Sequence, residues 1–71
     1  MSAFKPKEVI SILIHLGFVK KRQSGSHVIM YSSKLNLTIP VPMHTKDLGK
    51  GLVKSIIKSV ESSEAEFLKL K

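Results

Sequence analysis

The sequence predicts an α+β domain with the element order α-β-β-β-α, in which two helices cover one face of a three-stranded antiparallel sheet and a short helix follows at the C-terminus. Three observations lead to this prediction. Apolar residues recur at helical spacing in two separate stretches, one in each half of the chain. Between these stretches lie three short strand-like runs separated by turn residues. The length of 71 residues fits one small domain over residues 1–71.

The first helix is expected to begin at Pro6, because the first turn of a helix tolerates the missing N–H of proline. Its buried stripe follows i, i+3, i+4, i+7 spacing. The stripe consists of Val9, Ile12, Leu13 and Leu16, and is widened by Ile10 and Ile14. Gly17 is placed to end the helix, since glycine readily adopts the left-handed conformation that follows many helices.

Three strands follow, and they are expected over residues 18–23, 27–32 and 35–41. The segment Ser24-Gly25-Ser26 is typical of a hairpin turn, because glycine supplies the positive φ that such loops require. The third strand alternates apolar and polar residues, which indicates one buried face. Pro40 and Pro42 are expected to close this strand, since proline cannot donate to a ladder.

The last third of the chain is predicted to be helical after a connection over residues 43–50, which includes a short turn of helix at residues 46–48. A second amphipathic helix buries a stripe of five apolar residues: Leu52, Val53, Ile56, Ile57 and Val60. Ser63 and Glu66 have the spacing of a capping box, in which two side chains satisfy unpaired N–H groups at a helix start. They predict a final short helix through Leu70.

The charge of the chain is strongly one-sided. Twelve Lys and Arg residues stand against five Asp and Glu, which gives a formal net charge of +7 at pH 7. Such an excess favours a polyanionic partner, with nucleic acid first, an anionic membrane surface second and an acidic protein third. No apolar run approaches the roughly 20 residues of a membrane-spanning helix, and no secretory signal is visible. We therefore expect a cytoplasmic protein with no membrane partner.

Several kinds of chemistry are not expected. The chain has no cysteine, which excludes disulfides and the cysteine-rich zinc sites. Its histidine and acidic residues do not have metal-ligand spacing, and no nucleotide-binding glycine motif occurs, since Gly49-Lys50-Gly51 lacks the P-loop spacing. We therefore expect no metal and no cofactor.

His27 is the leading candidate for catalysis, because it follows the Gly/Ser turn and opens the second strand. The unperturbed pKa of imidazole, about 6.5, lies near physiological pH, so a histidine can serve as general acid or base. RNA cleavage by its own 2′-hydroxyl needs such a group, and nearby cations stabilise the charge of its transition state. The alternative is that His27 simply begins a strand with its ring hydrogen-bonded.

Two groups of residues are expected to contact RNA. The first group immediately precedes His27 and consists of Lys20, Lys21, Arg22, Ser24, Gly25 and Ser26. The second recurs every four positions on the second helix, so that it forms one ridge, and consists of Lys50, Lys54 and Lys58. The alternative for the ridge is an ordinary solvated helix face. His44 is a candidate second acid or base, and its alternative is an ordinary loop histidine.

Taken together, these motifs resemble the HicA, or YcfA-like, family of small toxins. The resemblance covers nearly the whole chain and rests on Leu16-Gly17-Phe18, on residues 22–27, on residues 38–42 with His44, and on residues 46–58. It implies a double-stranded-RNA-binding-like fold and a metal-independent endoribonuclease, or mRNA interferase, that cuts mRNA. It also implies a HicB-type antitoxin as a partner that blocks the active site.

The resemblance maps the catalytic histidine onto His27. Many family members have a second histidine at the next position, where this chain has Val28. The second proton carrier therefore stays open among His44, a lysine and the hydroxyl of Ser24 or Ser26, and cleavage with one enzymic proton carrier is a further alternative. At the level of function, the alternatives are a non-catalytic double-stranded-RNA-binding module with the same element order and a basic protein-binding domain.

Overall fold

The computed structural model describes residues 3–71, which form three helices and three strands. Their order along the chain is α1 Pro6–His15, β1 Val19–Ser24, β2 His27–Ser32, β3 Leu37–Pro42, α2 Lys50–Ser59 and α3 Glu64–Leu70. The strands form one antiparallel sheet in the order β1-β2-β3, so β1 and β3 are its edges. The predicted fold class and element order are confirmed.

The sheet has a covered inner face and an open outer face, because side chains alternate between the two faces along each strand. The inner-face residues of β2 and β3 are buried in one core with residues of the helices, and they include Val28, Met30, Ile39 and Val41. The intervening residues of β2 are exposed or half-buried, and they are His27, Ile29 and Tyr31. The helices therefore lie on the inner side and leave the outer face open.

Helix α1 confirms most of the predicted stripe. Val9, Ile12 and Leu13 are fully buried. The prediction was wrong for Ile14, which is 53% exposed. Ile14 lies five residues after Val9, and about 100° per residue places it about 140° around the helix, away from the core. Gly17 has a φ of 97° and follows the helix as expected.

The hairpin between β1 and β2 is tighter than predicted. Ser24 belongs to β1 and pairs with His27, so the turn consists only of Gly25 and Ser26. The register shifts between Lys20 and Arg22, which marks a β-bulge with Lys21 as the extra residue. The third strand also begins later than expected, because residues 33–36 form a turn.

Pro40 does not close the third strand, because it lies within β3 opposite Ile29, whereas β3 ends at Pro42 as expected. The Met43 N–H donates to the Ser26 carbonyl at 2.7 Å. Every second N–H of an antiparallel strand points to the same neighbour, so those of Val41 and Ile39 also point to β2. The two prolines occupy the intervening positions, whose N–H groups would point to the free edge. A free edge with fewer donors is a poor template for another strand.

The C-terminal part packs back onto the first helix. No helical turn forms at residues 46–48, which are bends and loop, and the Leu48 N–H instead donates to the Phe4 carbonyl at 2.8 Å. The Ser63 hydroxyl caps α3 by accepting from the Glu66 N–H at 3.1 Å. The rings of Phe4 and Phe67 meet edge to face with centroids 6.0 Å apart. Within residues 3–71, every helix is too short or too polar to cross a membrane.

Candidate active site

His27 is the first residue of β2 and lies directly after the Gly25-Ser26 turn. Gly25 has a φ of 60°, which is the conformation that such a turn requires. The imidazole is exposed on the outer face, and no residue within 3–71 forms a hydrogen bond or ion pair with it. The alternative that the His27 ring makes a structural hydrogen bond therefore has no support within the described residues.

The basic cluster of β1 is divided between the two faces of the sheet. Lys20 lies opposite Met30 and points inward, whereas Arg22 lies opposite Ile29 and points outward. The bulge also turns Lys21 outward, where its Nζ is 5.3 Å from the centroid of the Tyr31 ring, a cation–π contact. Two consecutive cations thus share the outer face with His27.

The hydroxyl-bearing residues Ser24 and Ser26 lie at different places relative to His27. Ser24 is directly opposite His27, and opposed residues of an antiparallel pair have Cβ atoms about 5 Å apart on the same face. Ser26 lies in the turn, and its carbonyl is held by the Met43 N–H. Ser24 is therefore the hydroxyl that the fold places beside the imidazole.

His44 lies just beyond the end of β3. Pro42 is the partner of His27 across the sheet, and Met43 is bonded to Ser26. His44 follows immediately and is exposed. The fold thus brings two histidines that are far apart in sequence to the hairpin end of one sheet.

The lysine ridge of α2 lies elsewhere in the molecule. Lys50, Lys54 and Lys58 are all exposed, as expected for one helix face. Helix α2 belongs to the layer behind the sheet, and its Leu52 and Ser55 line a groove of about 190 Å³ against β3. The ridge and the outer face are therefore two separate basic surfaces, on opposite sides of the sheet.

Two adjoining lysine-lined cavities were not predicted. One, of about 290 Å³, lies between α1 and the inner face of β1 and is lined by Lys7, Ile10, Lys20, Gln23, Val28 and Met43. The other, of about 220 Å³, is lined by Lys5, Pro6, Lys7, Met43, Thr45 and Lys46. In the sequence, only Lys5 and Lys7, on both sides of Pro6, could have indicated these cavities. Residues 3–71 contain no cluster of His, Asp and Glu that could hold a metal ion.

The fold and the basic outer face of the sheet define a small α+β domain with the element order of double-stranded-RNA-binding domains. The family model of the HicA toxins of bacterial toxin–antitoxin systems matches residues 6–61, and the chain belongs to that family. The resemblance drawn from the sequence motifs is thereby confirmed. No curated protein matches the sequence. The matched span runs from the first residue of α1 to just beyond α2, so α3 lies outside it.

Proposed function

We propose that this HicA-family toxin is a metal-independent endoribonuclease that cleaves mRNA, with His27 as general acid or base. One observation carries the proposal. An exposed imidazole stands at the start of β2, on the same sheet face as the cations Lys21 and Arg22, in a chain that belongs to a toxin family. Since mRNA is the proposed substrate, we place the protein in the cytoplasm.

The reaction that fits this arrangement is attack of an RNA 2′-hydroxyl on the adjacent phosphorus. The bond from the 2′ oxygen to phosphorus forms, and the bond from phosphorus to the 5′ oxygen breaks. A base removes the 2′ proton and an acid protonates the leaving 5′ oxygen, which leaves a 2′,3′-cyclic phosphate and a 5′-hydroxyl. His27 fills one of these roles, and Arg22 with Lys21 stabilises the charge that develops on the phosphoryl oxygens.

Val28 has little bearing on the second proton carrier. Its side chain is 5% exposed and points to the inner face, so any residue at this position would point away from the side of the sheet that carries His27. The second group must come from the outer face or the hairpin end of the sheet. By their backbone positions, the candidates are Ser24 and Lys21 on the outer face and Ser26 and His44 at the hairpin end.

An antitoxin partner follows from membership of a toxin–antitoxin family. We propose that it is a HicB-type protein that covers the outer face and so blocks His27. This face supports such an interface because it combines apolar residues with cations. Val19 is 59% exposed, Ile29 and Tyr31 are half-buried, and Arg22 lies opposite Ile29. An antitoxin surface with apolar residues and carboxylates would complement it.

The test compares two exposed histidines of the same chain. His27→Ala should abolish RNA cleavage and growth arrest, whereas His15→Ala should retain both, because His15 is at the end of α1 and bonds to the Ser11 carbonyl at 2.9 Å. Circular dichroism should show both variants folded, and both should still bind the antitoxin. If His27→Ala cuts RNA as fast as the unaltered protein, the proposed mechanism is wrong.

The second candidate function is a non-catalytic double-stranded-RNA-binding module. The exposed ridge of Lys50, Lys54 and Lys58 favours it, because this ridge lies away from His27 and forms a second basic surface. Such a module recognises duplex RNA by shape and leaves it intact. A gel that shows duplex RNA bound but uncut would select this candidate over the nuclease.

A further inference from the structure

The cavity of about 290 Å³ between α1 and β1 lies one residue pair from His27. Gln23 and Val28 are directly opposed and both line the cavity, and the next pair along the strands is Ser24 with His27. One residue along a strand spans about 3.3 Å. The cavity and the imidazole are therefore close along the strand but open on opposite faces of the sheet.

The lining of this cavity has the chemistry of a nucleotide site. Three apolar side chains, Ile10, Val28 and Met43, offer a surface for a base. Lys7 and Lys20 add two cations for phosphate, and no carboxylate lines the cavity. The remaining residue is Gln23, whose amide is both a hydrogen-bond donor and an acceptor and can read the edge of a base.

The cations of the cavity are available to a ligand. Within residues 3–71, neither Lys7 nor Lys20 forms an ion pair. Glu8, the only acidic residue in the first turn of α1, is engaged elsewhere. Its carboxylate accepts from the Lys5 N–H at 2.8 Å and lies 3.8 Å from the Lys71 Nζ. An incoming phosphate therefore displaces no carboxylate from Lys7 or Lys20.

The volume of the cavity limits the size of its ligand, and the hairpin tip leaves room for the RNA backbone. A volume of about 290 Å³ is at the small end of ligand sites, which suits a single nucleotide and excludes a duplex. Gly25 has no side chain, and apart from Gly25 itself and its two neighbours no heavy atom lies within 4 Å of the place where a Cβ would be. A sugar–phosphate backbone can thus pass closely over the tip, from the outer face to the cavity.

We propose that this cavity binds the unstacked nucleotide that flanks the cleaved phosphate, and that Gln23 reads its base while Lys7 and Lys20 hold its phosphate. The inference rests on the proposed function, since it places this nucleotide beside a bond that His27 cleaves. Sequence-specific proteins read RNA bases mainly in single strands, where the base edges are accessible. The preference for one base beside the cleaved bond is therefore determined on the inner side of the hairpin.

The first test maps cleavage sites in an RNA pool with randomised sequence. Gln23→Leu keeps the size of the side chain but removes the amide, so the preference for one base beside the cleaved bond should fall about tenfold. Lys7→Gln with Lys20→Gln should raise KM without changing the preference. The control, Lys34→Gln with Lys69→Gln, removes the same charge from exposed residues outside the cavity and should leave both unchanged.

The second test measures binding without cleavage. Fluorescein-labelled pentaribonucleotides of A, C, G or U are titrated into the His27→Ala protein, and one base should bind most tightly. Adding Gln23→Leu should reduce the difference between bases, and adding the Lys7 and Lys20 substitutions should weaken all four more than the control pair does.

The outcomes separate the two proposals. If cleavage depends on His27 but Gln23→Leu leaves the preference intact, the cavity assignment is wrong and the nuclease stands. If the unaltered protein cuts no RNA, the nuclease fails, and the pentanucleotide titration alone decides the cavity. Equal binding of all four pentanucleotides, or variants that match the control, would overturn the cavity assignment.

Discussion

Alternate residues of β2 lie in two different environments. The inward residues contribute to the stability of the fold, and the outward residues are available for the proposed reaction. Val28 and Met30 point inward and are buried in the core with the helices. His27 and Ile29 point outward to a face that the helices leave open. Because side chains alternate along a strand, one short segment both anchors the fold and displays the imidazole of the proposed catalytic residue. Substitutions on the two faces should therefore have different consequences.

The largest effect on stability is expected on the inner face. Met30 is fully buried, so Met30→Ala should lower the free energy of unfolding by about 2–5 kcal/mol, since it leaves a cavity in the core. A domain of this size has roughly 3–5 kcal/mol in total, so the substitution should remove a large part of its stability. Urea denaturation measures the change.

The matched control for Met30→Ala is its neighbour Ile29→Ala, on the outer face of the same strand. This substitution should cost about 1 kcal/mol or less, because Ile29 is only half-buried and the helices do not cover it. Equal losses of unfolding free energy in the two variants would mean that the outer face is packed as tightly as the inner one. That result would contradict the difference between the two faces of β2.

A smaller effect, on activity alone, is expected at Arg22. Arg22→Gln removes a cation that the bulge directs to the outer face near His27, so cleavage should slow about tenfold while the melting temperature stays the same. Lys69→Gln removes one charge from exposed α3 and serves as the control. An equal slowing in both variants would indicate that only the net charge matters.

The smallest effect is expected at the free edge of the sheet. Pro40→Val restores an N–H that points away from β2, so the free energy of unfolding should change by about 0.5 kcal/mol or less while self-association rises. Thr38→Val is the control, because it adds apolar surface to the same strand without adding an N–H. Sedimentation velocity distinguishes them. If both variants associate equally, the prolines do not protect the edge.

Local patterns were sufficient for much of the fold. The glycine after α1, the bounds of β2 and the cap of α3 depend on neighbouring residues, and each was predicted from a short stretch. Other features depend on how distant segments pack. Pro40 was predicted to end the third strand, because the sequence alone does not show that β3 is an edge, where proline is tolerated.

The site was predictable to a similar extent. The position of His27 at the start of β2 was predicted from the turn before it. Its catalytic role, to which the family resemblance added weight, stays a prediction. The bulge at Lys21 was not found, because only the pairing of β1 with β2 reveals an extra residue. The lysine-lined cavity was missed for the same reason. Lys7 and Lys20 belong to different elements, and the packing of α1 against the sheet brings them together.

In the proposed mechanism, His27 promotes attack by the RNA 2′-hydroxyl without a metal ion. The most direct measurement is the chemistry of the RNA ends after cleavage in the presence of excess EDTA, with His27→Ala alongside. We expect full activity in EDTA, fragments with a 2′,3′-cyclic phosphate and a 5′-hydroxyl, and no such fragments from the variant. Fragments with 5′-phosphate ends, or cleavage that EDTA abolishes, would contradict it.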